Sequence, residues 1–262
     1  MNTKREIDRW LSKTSGRLYV RNTFYHHHAF EILNTHDYLK NKIIKSLKAE
    51  IPIEARIKKQ QKKNLRGIKA DVLNSEIRSL LKNSLRNDIK LEVVEDKGVF
   101  YFSSEKSAIG GFDFAILNHK KNISALRNLC FGELQYFEGD LKWSSFLNKN
   151  PELKIIAKEL EQKDKLGIDI PLPAEDSMFP LIVGEIQFGN WALVYRDLFK
   201  VLKANVQNSI DCLIYIVPTN DLELMLSDGI VTFDKTVKIL EEFSKVISVP
   251  VWVIGLDIKI NG

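Results

Sequence analysis

The stretch that decides the fold is Leu181-Ile182-Val183-Gly184-Glu185-Ile186-Gln187-Phe188, an apolar strand with a carboxylate and a carboxamide near its end. Successive side chains of a strand point to opposite faces, so Glu185 and Gln187 lie on the same face. Polar groups buried side by side are costly unless something binds them. Because hard divalent cations prefer carboxylate and carbonyl oxygens, we interpret this strand end as a candidate metal site.

A second carboxylate is expected on an antiparallel strand beside Glu185. Asp169 lies on a predicted short strand of residues 167–172, sixteen residues before Glu185, and this strand would form a hairpin with residues 179–188. Two close carboxylates repel each other unless a cation lies between them, so both could join the Ile186 carbonyl in a cation site. Asp176 is the alternative partner, although its surroundings have the composition of a loop.

The same pattern occurs a second time in the chain. Asp113, on the predicted strand Phe112–Leu117, precedes Glu133 and Gln135 on the predicted strand Leu129–Tyr136. An aspartate followed by Glu-x-Gln is a weak pattern, since ordinary strands often end in polar residues. From the residues alone, both copies are candidates.

Positive charge is concentrated in one part of the chain. The net charge of the whole chain is +5, yet residues 40–70 contain eleven basic and two acidic residues. A basic segment beside an acidic remainder is typical of a surface that binds a polyanion, and a solvated helix face is the alternative.

Composition excludes several classes of protein. Hydrophobic residues make up 44% of the chain and charged residues 28%, as in ordinary globular proteins. No apolar run reaches the ~20 residues that a membrane-spanning helix needs, and the first residues lack the apolar segment of a signal peptide. The two cysteines fit a reducing compartment. We therefore expect a cytoplasmic protein that has no membrane association.

Apolar periodicity predicts an α/β fold with a mixed sheet. Three helices are predicted in the N-terminal third, over Phe24–Leu33, Asp37–Glu50 and Asp71–Leu85. A hairpin follows over Ile89–Val94 and Gly98–Phe102, and a helix over Pro151–Gln162. The C-terminal part alternates strands and helices over Phe179–Phe188, Trp191–Val206, Cys212–Val217, Phe233–Val246 and Val249–Leu256.

One segment resembles a known family. Glu185-Ile-Gln-Phe-Gly-Asn-Trp-Ala-Leu-Val-Tyr-Arg-Asp-Leu-Phe199 is similar to the catalytic strand and following helix of the BglII/BstYI type II restriction endonucleases. These belong to the PD-(D/E)xK nuclease superfamily, here with Gln in place of the usual Lys. The similarity continues through Cys212–Val217, the loop Leu226–Ile230 and Val249–Leu256, and a weaker one covers residues 25–87.

The resemblance implies a single nuclease domain with a restriction-endonuclease-like α/β/α core and a mixed sheet. Residues 1–88 would form a helical, DNA-contacting part, residues 89–160 an inserted strand-rich segment, and residues 161–262 the catalytic core. It favours Glu185 and Gln187 over the second copy. The family's spacing between aspartate and glutamate is shorter than sixteen and would align Asp176, whereas Asp169 has the better strand context.

The resemblance also implies an activity and its residues. The protein would be a homodimeric, Mg²⁺-dependent type II restriction endonuclease that cleaves double-stranded DNA at a short palindromic site, in a system with a cognate DNA methyltransferase. Asp169 and Glu185 would hold the metal with the Ile186 carbonyl, and Gln187 would orient water or phosphate. Base edges would be read by Asn190, Ser227, Asp228 and Gly229, and phosphates contacted by Lys58, Lys59, Lys62, Lys63 and Arg66. The alternatives are a non-cleaving DNA-binding protein on this fold and a structure-selective repair nuclease.

Overall fold

The structure, a computed structural model, describes residues 3–60, 63–102, 110–133, 135–163, 165–169, 179–206 and 210–261. Its strands are β1 (Ser15–His26), β2 (Glu50–Pro52), β3 (Ala55–Gln60), β4 (Lys63–Ile68), β5 (Ile89–Asp96), β6 (Val99–Phe102), β7 (Phe112–Ile116), β8 (Ile182–Ile186), β9 (Cys212–Pro218) and β10 (Val251–Ile260). Its helices are α1 (Lys4–Leu11), α2 (Ala29–Thr35), α3 (Asp37–Ser46), α4 (Ala70–Leu85), α5 (His119–Phe131), α6 (Gly139–Lys149), α7 (Pro151–Gln162), α8 (Leu193–Val206), α9 (Asn220–Met225) and α10 (Phe233–Glu242). Within these ranges, no helix is both long and apolar enough to cross a membrane.

One mixed sheet forms the centre of the fold. Its eight strands lie in the order β2-β1-β10-β9-β8-β7-β5-β6. Strands β8, β9 and β10 are parallel to one another, whereas β7 runs antiparallel to β8. Every residue of β8 and β9 is buried, as expected for strands covered on both faces.

Helices cover both faces of this sheet. On one face, the apolar side of α4 packs in a cluster that includes Phe114 and Ile186. On the other face, α8 and α10 pack in a cluster that includes Val183 and Tyr215. The predicted α/β fold with a mixed sheet is confirmed, and the two helical layers give it an α/β/α core.

The predicted hairpin before Gln187 is wrong. Strand β8 has β7 and β9 as its neighbours, so residues 167–172 are not its partner. Residues 167–169 are not in a strand, and residues 170–178, which include Asp176, lie outside the described residues.

The predicted strand over Leu129–Tyr136 is also wrong, because α5 extends to Phe131. Ile123, Leu126 and Cys130 follow helical spacing, and they pack with side chains of α6 and α7 in a separate core cluster. The segment 89–160 therefore contains three helices after its strands β5, β6 and β7.

The N-terminal part contains more strand than predicted. The predicted helix Phe24–Leu33 begins instead as the end of β1, and α2 starts only at Ala29. The long strand β1 pairs with β10 in the main sheet. The basic segment is not one helix, because α3 ends at Ser46 and β3 and β4 form a separate hairpin.

Candidate active site

The acidic pair of the site is formed by Asp113 and Glu185, from opposite copies of the repeated pattern. Phe114 on β7 lies opposite Gly184 on β8, so the antiparallel register places Asp113 opposite Glu185 on the same face. The Ile186 N–H donates a hydrogen bond of 2.7 Å to Asp113 Oδ2. The two carboxylates thus meet across neighbouring strands although 72 residues separate them in sequence.

Gly184 leaves room for the ring of Phe114, which lies directly over it. A Cβ atom at position 184 would overlap the ring of Phe114 on β7. Glycine in the interior of a strand costs conformational entropy, and a close approach of this kind is one of its uses. The absence of a side chain before Glu185 therefore allows Phe114 of β7 to pack across β8 at the site.

Helix α8 contributes a buried lysine and a buried aspartate. The Lys200 ammonium contacts Glu185 Oε1 and lies 3.2 Å from Asp197 Oδ1. It also donates a hydrogen bond of 2.9 Å to the Gly111 carbonyl. An ammonium buried to this degree is stable only when its protons are accepted, so these contacts fix Lys200 beside Glu185.

Asp197 is fully buried and holds several donors at once. The Tyr215 hydroxyl donates to its Oδ2 over 3.0 Å, and the Gln187 amide donates to the same oxygen over 2.7 Å. The other oxygen, Oδ1, accepts from Arg196 over 3.0 Å. Asp197 thereby connects the end of β8 with β9 and α8.

Burial changes the proton affinities of the acidic pair. Burial and then the nearby charge of Asp113 raise the pKa of Glu185 well above its ordinary range, although Lys200 opposes this effect. Burial also raises the pKa of Asp113, against the opposing charge of Arg78. Both carboxylates are thus held where an additional cation would favour their charged forms.

Helix α4 reaches the same site from the other face of the sheet. Arg78 Nη2 lies 2.5 Å from Asp113 Oδ1, and Arg78 also forms an ion pair with Glu92. The Asn74 amide donates a hydrogen bond of 3.0 Å to the Ile186 carbonyl. Both helical layers therefore contribute polar contacts to the site. Helix α4 contacts Asp113 and the Ile186 carbonyl, and α8 contacts Glu185.

Asp169 is not placed beside Glu185. It lies on the exposed surface next to the end of α5, with a φ angle of 55°. Its backbone N–H donates to Asn128 Oδ1 over 2.9 Å, and its Oδ2 accepts from the Glu133 N–H over 3.0 Å. The predicted pairing of Asp169 with Glu185 is therefore wrong.

Two of the predicted DNA-reading segments are adjacent in space. Asn190 forms an isolated antiparallel bridge with Ile230, and the Trp191 N–H donates to the Gly229 carbonyl over 2.9 Å. Asn190 is exposed, and its Oδ1 accepts from the Ala192 N–H over 2.9 Å, as in a turn that leads into a helix. Asn190 and the 227–229 loop therefore form one surface.

The basic hairpin lies against this surface. Lys58 Nζ is 2.7 Å from Asp228 Oδ1 and donates to the Leu226 carbonyl over 2.9 Å, and Arg56 donates to Ser227 Oγ over 2.9 Å. A cleft of about 810 Å³ lies between the hairpin and the loop, and its lining includes the basic Lys58, Arg66 and Lys235, the loop residues Ser227, Asp228 and Gly229, and the acidic Glu6, Asp221 and Glu223.

The remaining basic residues differ from Lys58 in exposure. Lys59, Lys63 and Arg66 are exposed, and Arg66 lies 5.5 Å from the centre of the Trp10 ring. Lys62 lies outside the described residues. The side chain of Lys58 is only 13% exposed, so its charge serves the loop around Asp228 first.

The outer side of α8 and the residues just before it carry an aromatic stripe. Trp191, Tyr195 and Phe199 are 46%, 42% and 60% exposed. Tyr195 makes edge-to-face contacts with Trp191 and with Phe243, at ring distances of 6.0 and 6.1 Å. This apolar surface is distinct from the buried face that carries Lys200.

Comparison with known proteins supplies the family. A family model described as "Restriction endonuclease BglII/BglIII" matches residues 21–256. This chain belongs to the BglII/BglIII family of restriction endonucleases. It is thus a site-specific DNA endonuclease, as the resemblance of the segment after Glu185 predicted.

The chain is similar to the crystal structure of restriction endonuclease BglII complexed with a DNA 16-mer, with 12% sequence identity and a TM-score of 0.48. The match covers 91% of this chain and 75% of that chain. None of the curated proteins is significantly similar to this chain.

The acidic pair of the endonuclease fits a divalent cation. Its donor set, two carboxylates and a main-chain carbonyl, is of the oxygen type that Mg²⁺ prefers. Among the described residues, no group of three or more histidine, cysteine, aspartate or glutamate side chains is arranged as a metal site. Ligands beyond Asp113 and Glu185 would therefore come from the main chain, such as the Ile186 carbonyl, or from the substrate.

The sequence contained a signal for two of the residues that we did not predict. The buried face of α8 carries Val194, Leu198 and Val201, and helical spacing puts Asp197 and Lys200 on that same face. Charged residues on the apolar side of a helix are costly unless paired, so they indicate a buried polar site. Asn74 and Arg78 on α4 are partly exposed. Polar residues are ordinary at such helix positions, so the sequence does not mark them as site residues.

Proposed function

We propose that this endonuclease is a Mg²⁺-dependent type II restriction enzyme that hydrolyses both strands of double-stranded DNA at a short palindromic site. The observation that supports the proposal most is that Asp113 on β7 lies directly opposite Glu185 on β8. The Ile186 backbone N–H donates a hydrogen bond to Asp113 at the same place. The family membership of residues 21–256 supports the reaction, and the buried carboxylate pair supports the metal.

The proposal assigns the metal to Asp113, Glu185 and the Ile186 carbonyl. When bound, Mg²⁺ lowers the pKa of a coordinated water and stabilises the negative charge that develops on the reacting phosphate. Arg78 orients Asp113 through the contact at Oδ1, and Asn74 orients the Ile186 carbonyl. The side chains of Glu185 and Lys200 are each 4% exposed, so bulk water has little access to the charges around them.

DNA would lie across the surface formed by Asn190 and the 227–229 loop. Asn190 has an amide that can both donate and accept, which suits an adenine edge in the major groove. Lys59, Lys63 and Arg66 are exposed cations on the neighbouring hairpin and would contact phosphates. Lys58 would hold the reading loop through Asp228.

A palindromic site cut on both strands requires two active sites related by a two-fold axis, and a homodimer provides them. The exposed Trp191, Tyr195 and Phe199 on and beside α8 provide an apolar surface for the second subunit. The proposed substrate places the enzyme in the cytoplasm, with a cognate DNA methyltransferase as its functional partner.

The test is a plasmid digest with purified protein and Mg²⁺, followed by sequencing of the fragment ends. Discrete fragments with one palindromic sequence at every end are expected, and chelation of the metal should stop the reaction. Binding without cleavage would indicate a DNA-binding protein on a nuclease fold. Nicks that follow DNA structure instead of sequence would indicate a repair nuclease.

A further inference from the structure

Gln187 is held by the protein at both ends of its side-chain amide. Its amide nitrogen donates to Asp197 over 2.7 Å, and its amide oxygen accepts from the Gly189 N–H over 2.9 Å. The residue is 7% exposed. Both ends of the carboxamide are therefore occupied by its own chain, and the group has no charge with which to stabilise a phosphate.

Lys200 provides a positive charge at the same place. It reaches Glu185 from α8, and its other contacts are Asp197 and the Gly111 carbonyl. Two of its protons are accepted by Glu185 and the Gly111 carbonyl, and the ion pair with Asp197 holds the ammonium from a third side. The Lys200 charge is thus fixed on the carboxylate that lies opposite Asp113.

Asp197 connects the two residues. Its Oδ1 lies near Lys200 and its Oδ2 accepts from Gln187, so one carboxylate orients both side chains. A lysine at position 187 would approach the same aspartate from β8. A cationic side chain beside Asp197 could therefore come from either of two sequence positions, 187 on the strand side and 200 on α8.

We propose that Lys200 supplies the positive charge of the catalytic centre in place of a lysine at position 187, and that Gln187 is a positioning residue. Lys200 acts through Glu185, whose Oε1 it holds. This inference rests on the proposed function and adds to it the origin of the charge. The positive side chain that offsets the carboxylates of the centre then comes from α8 and not from position 187 after β8.

The test compares single-turnover cleavage rates, DNA binding with Ca²⁺ in place of Mg²⁺, and melting temperatures for four variants. Lys200→Gln should lower the cleavage rate by about 100- to 1,000-fold, as the loss of a fixed electrostatic group does, and leave DNA binding within a few-fold. Gln187→Ala should lower the rate by only about 10-fold, as loss of a supporting hydrogen bond does. Lys203→Gln, on the same helix but 42% exposed, is the matched control and should cleave normally.

The double variant Gln187→Lys/Lys200→Gln is the decisive one. It removes the positive charge of α8 and restores a positive charge at position 187, at the end of β8. It should recover at least about 10-fold of the cleavage rate lost in Lys200→Gln, since the cation again lies beside Asp197. It also covers the case in which Lys200→Gln alone does not fold, because the buried acids regain a partner.

Three results would overturn the inference. These are a Lys200→Gln protein as active as Lys203→Gln, a larger loss in Gln187→Ala than in Lys200→Gln, and a double variant that melts like the wild type without recovering cleavage. An inactive wild-type protein would instead refute the proposed function. The melting temperatures would then still test whether a charge at position 187 replaces one at position 200.

Discussion

Two pairs of acidic residues, Asp113 with Glu185 and Asp169 with Glu133, come from the same repeated pattern and lie in different surroundings. Asp113 and Glu185 lie on neighbouring strands, where Arg78 and Lys200 contact them. Asp169 lies at the protein surface, where it accepts a hydrogen bond from the Glu133 backbone. In each pair, the aspartate belongs to one copy of the repeated pattern and the glutamate to the other.

This exchange has a simple structural cause. Helices α5, α6 and α7 are inserted between β7 and β8, so the aspartate on β7 is separated from its partner strand by a whole helical segment. The end of that segment brings Asp169 back to the end of α5, close to Glu133. Nearness in sequence is therefore a poor guide to which carboxylates meet.

Burial separates the chemistry of the two pairs. Burial, and then the nearby charge of Asp113, raise the pKa of Glu185 well above its ordinary range, while Lys200 opposes the shift. Exposed carboxylates such as Asp169 and Glu133 are solvated and screened by salt. The comparison predicts that only the buried pair supports catalysis.

The largest effect is expected from the glutamates. Glu185→Ala should reduce single-turnover cleavage at least about 1,000-fold, because it removes a metal ligand, while DNA binding remains close to normal. Glu133→Ala is the matched control and should cleave at the wild-type rate. Loss of activity in Glu133→Ala with an active Glu185→Ala protein would reverse the assignment of the two pairs.

Substitution of the two aspartates should show the same contrast, with a somewhat smaller loss of cleavage rate. Asp113→Asn should lower the cleavage rate by about 100-fold or more, because a neutral amide is a poor Mg²⁺ ligand. Asp169→Asn keeps the size of the side chain at the surface and should leave the rate unchanged. Both rates are measured under single-turnover conditions with saturating Mg²⁺, and an inactive Asp169→Asn protein would contradict the site described for β7 and β8.

A third prediction concerns pH and gives the smallest effect. Glu185 must lose its proton to bind the metal, and burial followed by the charge of Asp113 raises its pKa. Lowering the pH below that pKa should therefore weaken Mg²⁺ binding, by up to about tenfold per pH unit. The measurement is the Mg²⁺ concentration that gives half of the maximal rate, determined at a series of pH values from 8 down to 5.

The control for this pH dependence is Asp169→Asn, which should follow the wild type because its carboxylate is exposed. A half-saturating Mg²⁺ concentration that stays constant over the same pH range would contradict a buried glutamate as ligand. Burial would then not be what distinguishes Glu185 from the exposed carboxylates.

Much of the fold and one half of the acidic pair could be predicted from the sequence. Strand β9, most of β8 and the first six residues of β10 are apolar runs, and such runs identify buried strands well. Glu185 stands out because it interrupts the run in β8. The antiparallel partner β7 could not be identified, because periodicity describes a strand but not its neighbour.

The prediction of Asp169 failed for that reason. Hairpins usually join strands that are close in sequence, and the prediction assumed a short connection before Glu185. The helices that fill the real connection include α5, and its last residues belong to the segment Leu129–Tyr136, whose pattern predicts a strand. Its apolar residues form a core of their own, and this additional core was not apparent from local patterns.

The long connection between β7 and β8 has a consequence for the synthesis of the protein. The ribosome makes Asp113 long before Glu185, and pairing between distant segments is slow because a long loop must first be closed. An incomplete chain that ends before residue 180 contains only one of the two carboxylates that face each other in the finished protein. The two carboxylates can therefore meet only after β8 has been made and has paired with β7.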